Sequence, residues 1–330
     1  MADVIGRLAP SPTGALHLGN ARSFLLAWLS VRQQNGKILL RIEDIDSPRV
    51  KPWAREQTLT DLKWLGLDWD WGPDVSGPHT SYIQTERLER YRLVLEQLAS
   101  EGAIYPCFCS RREVNEAASA PHETSEPQAQ LLEGSIYPGT CRDLKRSTAS
   151  ASAASNEFAW RWRFDEGELT WVDAALGKQS ANPRRQLGDF VIGKSDGTPA
   201  YQLAVVVDDF DMGVTEIVRG SDLVPSTYRQ LAILQHLGWR APKYCHVPLM
   251  VGPDGRRLAK RHGDTRLSHF RELGFQPQDL VGYLAWTLGL QTLPDPIEAQ
   301  ELIGTLDWRK VTASPTVFSL ETFLRDFARR

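Results

Sequence analysis

Two kinds of hydrophobic pattern alternate at the start of the chain. Residues 4–8 and 37–42 are short apolar runs typical of buried strands, whereas residues 21–34 carry apolar side chains at helical spacing. A strand, a helix and a strand at this spacing predict a parallel βαβ unit with a right-handed crossover. We therefore expect an α/β fold whose ligand site lies at the carboxyl ends of parallel strands.

The same kinds of pattern continue along the chain. Residues 53–65 and 85–101 predict amphipathic helices. Residues 201–207 are apolar and β-branched, and they predict a strand that ends at Asp208 and Asp209. Further strands are predicted at 159–164, 169–172, 189–192, 214–218 and 247–251, further helices at 226–236, 270–273, 277–288 and 296–302, a turn at 253–255 and an exposed basic loop at 256–261.

Composition divides the chain into four parts. From residue 106 the sequence becomes polar, and residues 147–156 are mostly Ala and Ser, which predicts a flexible loop. We expect an inserted subdomain at 106–185. It would interrupt a catalytic domain whose halves are 1–105 and 186–246, and residues 247–330 would form a C-terminal portion with the basic loop and several helices.

Composition also excludes several classes of protein. Apolar residues make up 42% of the 330 residues, enough for a sizeable core. No run reaches the roughly 18 apolar residues of a membrane span, and the N-terminus enters a strand without the apolar core of a signal peptide. Four cysteines do not make a disulfide scaffold at this length, so we expect a cytoplasmic protein. The net charge of −3 does not itself indicate a nucleic-acid partner, and basic clusters ordinarily form a solvated face.

The loop between the first strand and the first helix is dense in Pro, Gly, Ser, Thr and His. Pro10 and Pro12 fix two φ angles, while Gly14 and Gly19 permit sharp turns and the close approach of a ligand. His17 adds a donor that can be neutral or cationic near pH 7. The helix would present free N–H groups and a positive dipole end to this loop, which predicts phosphate binding. A stiff turn with a surface histidine is the alternative, and the absent Gly-x-Gly-x-x-Gly pattern disfavours a nicotinamide enzyme.

Four side chains are expected at strand ends near this loop. Arg7 and Arg219 bring guanidinium groups, Tyr201 brings a phenol and Glu43 brings a carboxylate. Arginine forks pair with carboxylates, and Glu43 would take an ammonium group, so the set would suit an α-amino dicarboxylic acid. Ordinary surface ion pairs would explain each residue equally well.

Lys260 lies in the basic loop that follows the turn. A cation in such a loop can stabilise the charge that develops on a polyphosphate as it is cleaved. A solvated basic loop is the alternative.

Three cysteines in the inserted segment are candidates for a metal site. Cys107, Cys109 and Cys141 could bind zinc, which in structural sites takes four ligands, most often thiolate or imidazole. Tyr137, His122 and a nearby carboxylate are candidates for the fourth ligand. Three free cysteines in a loose loop are the alternative.

Short motifs between Arg7 and about Asp264 resemble the class I aminoacyl-tRNA synthetases. His-Leu-Gly-Asn at 17–20 is similar to the His-Ile-Gly-His signature of that class, and Arg-Leu-Ala-Lys-Arg at 257–261 is similar to its Lys-Met-Ser-Lys-Ser loop. Three further motifs resemble the glutamate-specific branch of that class: Pro-Ser-Pro-Thr-Gly at 10–14, Arg-Ile-Glu-Asp at 41–44 and Val-Val-Asp-Asp at 206–209.

Within that branch the chain resembles the glutamyl-Q tRNA(Asp) synthetases. Glutamyl-tRNA synthetases carry a long helical anticodon-binding region after the catalytic core, and a chain that stops at Arg330 leaves little room for it. Residues 201–205 and 218–222 resemble the shorter family closely. Val205 stands where glutamyl-tRNA synthetases typically have an asparagine in the glutamate pocket.

The shorter family also has a zinc pattern, Cys-x-Cys followed by Tyr-x-x-x-Cys. Cys107, Cys109, Tyr137 and Cys141 match it, so the resemblance names Tyr137 as the fourth ligand of one Zn²⁺. The polar loop between the two ligand pairs is longer than usual in this chain.

The resemblance implies a Rossmann-like catalytic domain that converts ATP and L-glutamate to glutamyl-adenylate and pyrophosphate. Mg²⁺ would accompany ATP. The glutamyl group would then pass to queuosine at the wobble position of tRNA(Asp), and similar enzymes activate glutamate without tRNA. A monomer that binds no membrane is expected.

The resemblance also assigns residues to the two substrates. The glutamate site would be formed by Arg7, Leu8, Ala9, Pro10, Ser11, Glu43, Tyr201 and Arg219. The ATP site would be formed by His17, Gly19, Asn20 and Lys260. In that site His17 and Lys260 would be catalytic, because they would stabilise the pentacovalent α-phosphate.

Two departures from the family pattern stand out. Asn20 replaces the second histidine of the first signature, and Ala259 and Arg261 replace the serines of the second. We expect activity to survive because His17 and Lys260 persist. The alternatives are a truncated glutamyl-tRNA synthetase that charges a tRNA 3′ end and a non-catalytic paralogue that binds tRNA.

Overall fold

Strands and helices alternate over most of the chain. The computed structural model describes residues 3–45, 49–119, 132, 136–143, 157–258, 260–311 and 314–327. In chain order the elements are β1 (Ile5–Leu8), α1 (Leu18–Arg32), β2 (Lys37–Leu40), α2 (Pro52–Trp64), α3 (Leu88–Ser100), β3 (Ile104–Cys107), α4 (Arg111–Ser119), β4 (Ala159–Trp162), β5 (Leu169–Asp173), β6 (Gly177–Ala181), α5 (Pro183–Gln186), β7 (Val191–Lys194), α6 (Tyr201–Asp211), β8 (Glu216–Gly220), α7 (Val224–His236), β9 (Lys243–Val247), β10 (Met250–Val251), α8 (Leu267–Glu272), α9 (Pro277–Thr287), β11 (Thr316–Val317) and α10 (Leu320–Phe327). Short 3₁₀ helices lie at Gln84–Arg87, Ser221–Leu223, Lys260–His262 and Ala299–Leu302.

Four parallel strands form the central sheet, in the order β2-β1-β8-β9. Helix α1 joins β1 to β2, which pair in register from Ile5 with Lys37 to Leu8 with Leu40. The parallel βαβ unit and the α/β fold predicted from the hydrophobic pattern are therefore confirmed. The carboxyl ends of all four strands lie at one edge, where ligands bind in sheets of this kind.

Close packing of α1 on the sheet depends on one glycine. A Cβ atom at Gly6 would lie 2.3 Å from Cγ2 of Val31, far inside contact distance. Because Gly6 has no side chain, α1 approaches β1 closely and buries Leu25, Leu26 and Leu29 against it.

Arg22 ties α1 to the C-terminal part of the chain. Its side chain is 1% exposed and donates to the carbonyl oxygen of Pro248. It also donates to Oγ1 of Thr316 at 3.1 Å. Nε also contacts Oγ1 of Thr287 at 3.4 Å. The helices that follow the basic loop are thus held against the first helix of the sheet by a buried cation.

The segment 106–185, predicted as an insertion, shares its sheet with the flanking parts of the chain. Strands β3, β4 and β7 form an antiparallel sheet in which β4 is central. Strands β5 and β6 form a separate antiparallel hairpin, and Ala174, just after β5, donates its N–H to the carbonyl oxygen of Tyr244 in β9 at 2.9 Å. Residues just after β5 therefore reach the edge of the central sheet.

The strand predicted at 201–207 was wrong, because these residues form helix α6. Five consecutive residues, Leu203 to Val207, are no more than 2% exposed. A helix buried on all sides shows no polar face, so its apolar run cannot be told from a buried strand by periodicity. Tyr201 therefore opens a helix and does not lie at the end of a strand.

Several other boundaries differ from the prediction. Helix α1 begins at Leu18, three residues before the predicted start, and α7 begins at Val224, two residues before Ser226. The strand predicted at 247–251 consists of the end of β9 and the separate strand β10, and only one 3₁₀ turn forms within 296–302. The sequence patterns did not predict β3, α4, β6, α5, β11 or α10. Residues 147–156, predicted as a flexible loop, lie outside the described residues.

Two simple expectations can be compared directly with the structure. All four cysteines are free thiols, as expected for a chain without a disulfide scaffold. Among the described residues, no helix combines the length and the apolar character that a membrane-spanning segment requires.

Candidate active site

A cleft of about 200 Å³ opens at the carboxyl ends of β1, β2 and β8. It lies where the parallel sheet predicts a ligand site. Eight residues predicted to bind glutamate or ATP line it: Arg7, Ala9, His17, Gly19, Asn20, Glu43, Tyr201 and Arg219. Its wall also includes residues that the sequence did not single out, among them Ser23, Phe24, Asp222, Met250 and Leu258.

Two buried guanidinium groups meet in this cleft, and each has a nitrogen without a partner. Arg7 donates from Nη1 to the carbonyl oxygen of Val218 at 3.2 Å, while its Nε is buried and unbonded, 3.7 Å from Oδ1 of Asp209. Arg219 leaves Nη1 buried and unbonded. Burial lowers the pKa of Arg7, and the neighbouring Arg219 adds to that effect. Two desolvated guanidinium groups with incomplete hydrogen bonding, of which only Arg7 has Asp209 nearby, favour an anionic ligand.

Glu43 faces the cleft and is held from behind by Arg41. The fully buried Arg41 donates to Oε1 of Glu43 at 2.9 Å and to Oδ1 of Asp209 at 2.8 Å. Burial raises the pKa of Glu43, and the nearby Arg41 opposes that shift. Burial would lower the pKa of Arg41, but its carboxylate partners hold that pKa well above its ordinary value. Arg41 thus fixes the position of Glu43 at the cleft wall.

The charges continue below the cleft into the core. Asp208 is fully buried, and its carboxylate accepts hydrogen bonds from Tyr91 at 2.8 Å, Gln84 at 2.9 Å and Arg87 at 2.8 Å. This network was not predicted from the sequence, where Asp208 stands only at the end of a predicted strand and within a family motif. Two adjacent aspartates at the end of an apolar run were the available signal, because buried carboxylates require cationic partners.

Tyr201 reaches the cleft from the start of α6. The backbone N–H of the preceding residue, Ala200, binds the carbonyl oxygen of Ile192 at 2.8 Å, which anchors the beginning of the helix. Burial raises the pKa of Tyr201, and the nearby Glu43 carboxylate raises it further. The phenol therefore stays protonated near neutral pH and can act as a hydrogen-bond donor.

His17 forms the N-cap of α1. Its Nδ1 accepts a hydrogen bond from the N–H of Gly19 at 3.2 Å, and Oδ1 of Asn20 accepts one from the N–H of His17 at 3.2 Å. Burial and the nearby Arg257 lower the pKa of His17 to about 4. The ring is therefore neutral at pH 7, and because Nδ1 is an acceptor, Nε2 carries the proton.

The prediction that α1 offers free N–H groups to a phosphate was wrong. Leu18 donates to the carbonyl oxygen of Thr265 at 2.9 Å, and Gly19 donates to the ring of His17. The N–H groups of Asn20 and Ala21 both donate to the carbonyl oxygen of His17, at 2.9 and 3.1 Å. Any anion at this end of the helix must therefore be held by the helix dipole and by side chains.

Three residues predicted to bind glutamate lie beside the cleft and not on its wall. Leu8 and Pro10 are buried, and their carbonyl oxygens accept hydrogen bonds from the N–H groups of Arg41 at 2.9 Å and Glu43 at 3.0 Å. Ser11 is exposed. These bonds align the end of β1 with the residues that follow β2. Substrate contacts with Leu8, Pro10 and Ser11 stay predictions.

The basic loop at 256–261 carries several ion pairs. Arg257 pairs with Asp222 at 2.7 Å, and Arg261 pairs with Asp254 at 3.0 Å. Arg257 lines the cleft. The exposed basic loop predicted here is therefore partly neutralised by neighbouring carboxylates. Ala259 and the side chain of Lys260 lie outside the described part of the chain.

Three thiols and a phenol gather below β3. The Sγ atoms of Cys107, Cys109 and Cys141 lie within 4.8 Å of one another, and Sγ of Cys109 and Cys141 are 3.6 Å apart. Oη of Tyr137 lies 3.4 Å from Sγ of Cys107 and 3.8 Å from Sγ of Cys109. A tetrahedral ion with Zn–S bonds of about 2.3 Å separates its sulfur ligands by roughly 3.8 Å, so these four groups fit one zinc ion. His122, another candidate from the sequence, lies outside the described residues.

A buried cation borders these four groups. The guanidinium of Arg161 lies 3.8 Å from the centre of the Tyr137 ring, and its Nη1 donates to the carbonyl oxygen of Asp189 at 3.0 Å. Hydrogen bonds from Tyr137 and Arg161 lower the pKa of the Cys107 thiol against the opposing effect of burial. Burial and the neighbouring thiols raise the pKa of Cys109 to about 11, so the surroundings favour the metal-binding thiolate form at Cys107 and not at Cys109.

Comparison with known proteins gives consistent results. Residues 3–324 match the family described as tRNA synthetases class I (E and Q), catalytic domain. The chain is 47% identical to the glutamyl-Q tRNA(Asp) synthetases of Rhodopirellula baltica and Symbiobacterium thermophilum, over 96% of the chain and 97% and 96% of those proteins.

Longer relatives match over a smaller share of their length. The chain is 41% identical to a glutamate–tRNA ligase of Anaeromyxobacter dehalogenans, over 96% of the chain and 64% of that protein. The crystal structure of glutamate-tRNA synthetase from Elizabethkingia anophelis superimposes with a TM-score of 0.83 at 27% identity, over 99% of the chain and 71% of that structure.

Proposed function

The chain belongs to the class I tRNA synthetases of the glutamate and glutamine branch, and we propose that it activates L-glutamate with ATP and transfers the glutamyl group to queuosine at the wobble position of tRNA(Asp). The ligase class follows from the family. The glutamate substrate is supported by the charge pattern of the cleft, and the tRNA(Asp) acceptor by the names and the 45–47% identity of three relatives.

The observation that carries the glutamate assignment is a pair of guanidinium nitrogens without hydrogen bonds, opposite a carboxylate. Nε of Arg7 and Nη1 of Arg219 are buried without hydrogen-bond partners, although Asp209 lies 3.7 Å from Nε of Arg7, and Glu43 lines the same cleft. Glutamate brings two carboxylates and one ammonium, so it would complete each of these three interactions. A glutamine side chain would offer one of the guanidinium groups a neutral amide in place of a carboxylate, which is a weaker partner for a cation in a desolvated site.

Activation requires positioning and charge stabilisation but no protein nucleophile. The substrate α-carboxylate attacks the α-phosphate of ATP, and pyrophosphate leaves. Nε2–H of His17 would donate a hydrogen bond to the phosphate, and Lys260 would neutralise the charge that develops there. Because His17 is neutral near pH 7, its contribution is that of a dipolar donor and not of a cation. Mg²⁺ would bind with the phosphates of ATP.

Zinc is proposed as a structural ion held by Cys107, Cys109, Tyr137 and Cys141. The donor set and spacing fit a tetrahedral site with no open position. In this role the ion would hold the end of β3 to residues 136–143, on which Tyr137 and Cys141 lie.

Two linked assays test the proposed function. Purified protein should catalyse glutamate-dependent ATP–pyrophosphate exchange without tRNA, and Lys260→Ala, purified in the same way, should lose it and so exclude a contaminating synthetase. Labelled glutamate should then pass to tRNA(Asp) containing queuosine, including tRNA(Asp) that lacks its terminal adenosine. It should not pass to tRNA(Asp) with guanosine at the wobble position.

Two results would contradict the proposal. Transfer to the 3′ end of tRNA(Glu) would support a glutamate–tRNA ligase, an alternative for which the 41% identical relative provides an argument. Absence of exchange in protein that binds tRNA would support a non-catalytic paralogue.

A further inference from the structure

Arg219 is held from behind by a line of buried polar side chains. Its Nε donates to Nε2 of His246 at 3.0 Å, and its Nη2 donates to Oγ1 of Thr227 at 2.8 Å. His246 and Thr227 are both 0% exposed. Two of the three guanidinium nitrogens are therefore fixed, and only Nη1, unbonded and buried, is left for a ligand.

The line continues into the inserted segment. Nδ1 of His246 lies 2.7 Å from Oδ2 of Asp173, the last residue of β5. Asp173 also accepts hydrogen bonds from the N–H groups of His246 at 3.1 Å and of Ala175 and Leu176 at 2.9 Å. Four donors thus hold the carboxylate in place beside the central sheet.

We propose that Asp173 and His246 are positioning residues for glutamate, and that with Thr227 they orient the Arg219 guanidinium so that Nη1 meets a substrate carboxylate. The inserted segment would thereby contribute directly to amino-acid binding. This inference rests on the proposed function for its substrate, but the geometry on which it depends can be tested separately.

The hydrogen bond from Arg219 favours one protonation state of His246, while Oγ1 of Thr227, 3.1 Å from Nε2, can either donate to this nitrogen or accept from it. Arginine has no acceptor, so Nε2 of His246 must offer its lone pair to Arg219. The imidazole proton then lies on Nδ1 and is donated to Asp173. A cationic imidazole would carry a second N–H, on Nε2. This N–H would face the N–H of Arg219 Nε, and the hydrogen bond between the two side chains would be lost.

Neighbouring rings and burial support this arrangement. Trp171 packs edge-on against the His246 ring at 5.6 Å, and Tyr244 stacks on it at 6.2 Å. Arg219 lies 5.3 Å from the centre of the Tyr244 ring, where a cation is stabilised by the aromatic face. Burial lowers the pKa of His246 despite the hydrogen bond to Asp173, which agrees with a neutral ring.

Paired substitutions test the proposal in the intact chain. Thr227→Val keeps the shape of the side chain but removes the acceptor for Nη2, whereas Thr227→Ser keeps the acceptor. His246→Leu removes the acceptor for Nε, whereas His246→Gln offers an amide oxygen near the position of Nε2. We expect Thr227→Val and His246→Leu to raise the KM for glutamate by about 10- to 100-fold, the effect of losing a charged hydrogen bond.

The matched variants and the second substrate separate positioning from a merely structural role. Thr227→Ser and His246→Gln should restore the KM for glutamate to within about threefold of the original value, and the KM for ATP should change less than about threefold in every variant. Equal increases in both KM values, or an unchanged KM for glutamate in Thr227→Val and His246→Leu, would overturn the proposal.

A second measurement does not require activity. In ¹⁵N-histidine-labelled protein, the His246 ring should show a protonated Nδ1 and an unprotonated Nε2 at pH 7, and His246→Gln identifies the signal. A protonated Nε2 would overturn the proposal whether or not the protein activates glutamate. If the expected tautomer is found but the protein shows no exchange activity, the proposed function is contradicted. The hydrogen bonds from Arg219 to Asp173 would then stand, but their role in glutamate binding would be refuted.

Discussion

At the scale of single residues, His17 shows how backbone geometry determines the chemistry of a side chain. As an N-cap its ring accepts the N–H of Gly19, which assigns the proton to Nε2. Asn20, the residue that departs from the family signature, completes the capping box through Oδ1. Asn20 therefore supports the orientation of His17 through its amide oxygen, and this hydrogen bond does not involve its amide nitrogen.

The His17 ring should titrate far below its ordinary range. Its pKa falls from 6.5 to about 4 because burial and Arg257 disfavour the cation. NMR of the ring proton on Cε1 should show no titration between pH 8 and 5.5, with His17→Asn used to assign the signal. A midpoint near 6.5 would contradict the neutral donor proposed for catalysis.

The same shift has a defined sign for stability. Since the unfolded chain protonates His17 near pH 6.5 and the folded chain only near pH 4, the stability that the neutral ring contributes is complete above about pH 6.5. It is lost as the pH falls from 6.5 towards 4.

Among the larger elements, α6 and the thiol cluster each position several functional side chains, in two different ways. Helix α6 places Tyr201 in the cleft at its start and Asp208 and Asp209 beneath the cleft near its end. The cluster joins the end of β3 to Cys141 across a long polar segment. Helix α6 thus positions side chains of both the cleft and the core within one short segment, whereas the thiol cluster joins residues that are far apart in the chain.

Zinc should be lost when a thiol of the cluster is removed. Cys107→Ser and Cys141→Ser should reduce bound zinc from about one ion per chain to near zero, because structural sites need all four ligands. Elemental analysis of dialysed protein measures this directly. Cys245→Ala provides the control, since Cys245 lies buried in β9 and outside the cluster. Zinc retained in the two serine variants would contradict the assignment.

At the scale of the whole molecule, a buried network of charges connects the sheet with α3 and α6. Arg41 lies at its centre, with Glu43 and Asp209 on the cleft side and Asp208 on the core side, 3.6 Å from Nε. Asp208 in turn pairs with Arg87. The cleft and the core are therefore parts of one electrostatic unit.

Removal of the central cation should strongly destabilise the fold. Arg41→Met keeps the approximate volume but leaves three carboxylates without their shared partner, and breaking a buried pair in this way costs about 3–5 kcal/mol. Urea denaturation gives the change in the free energy of unfolding. Arg92→Ala, which removes an exposed cation that pairs with Glu89 and Glu96, should change stability little. Similar small changes in both variants would refute the importance of the network.

The parallel βαβ unit, the family and eight of the residues that line the cleft could be predicted from the sequence. Short-range patterns carry this information: apolar periodicity for α1, β1 and β2, and residue types at fixed spacing for the loop at 10–20 and the four zinc-ligand candidates. Arg7, Glu43 and Arg219 were predicted to converge because parallel strands end at the same edge of a sheet.

Three further features depend on how the chain packs. The helix at 201–207 could not be told from a strand, because the segment is buried on all sides and its apolar run therefore has no readable period. The N–H groups of α1 were satisfied by Thr265 and by the His17 ring, and pairing between residues so far apart leaves no local pattern. Asp173, His246 and Arg219 meet for the same reason: they come from β5, β9 and β8, and hydrogen bonds between distant strands exist only after the chain has packed.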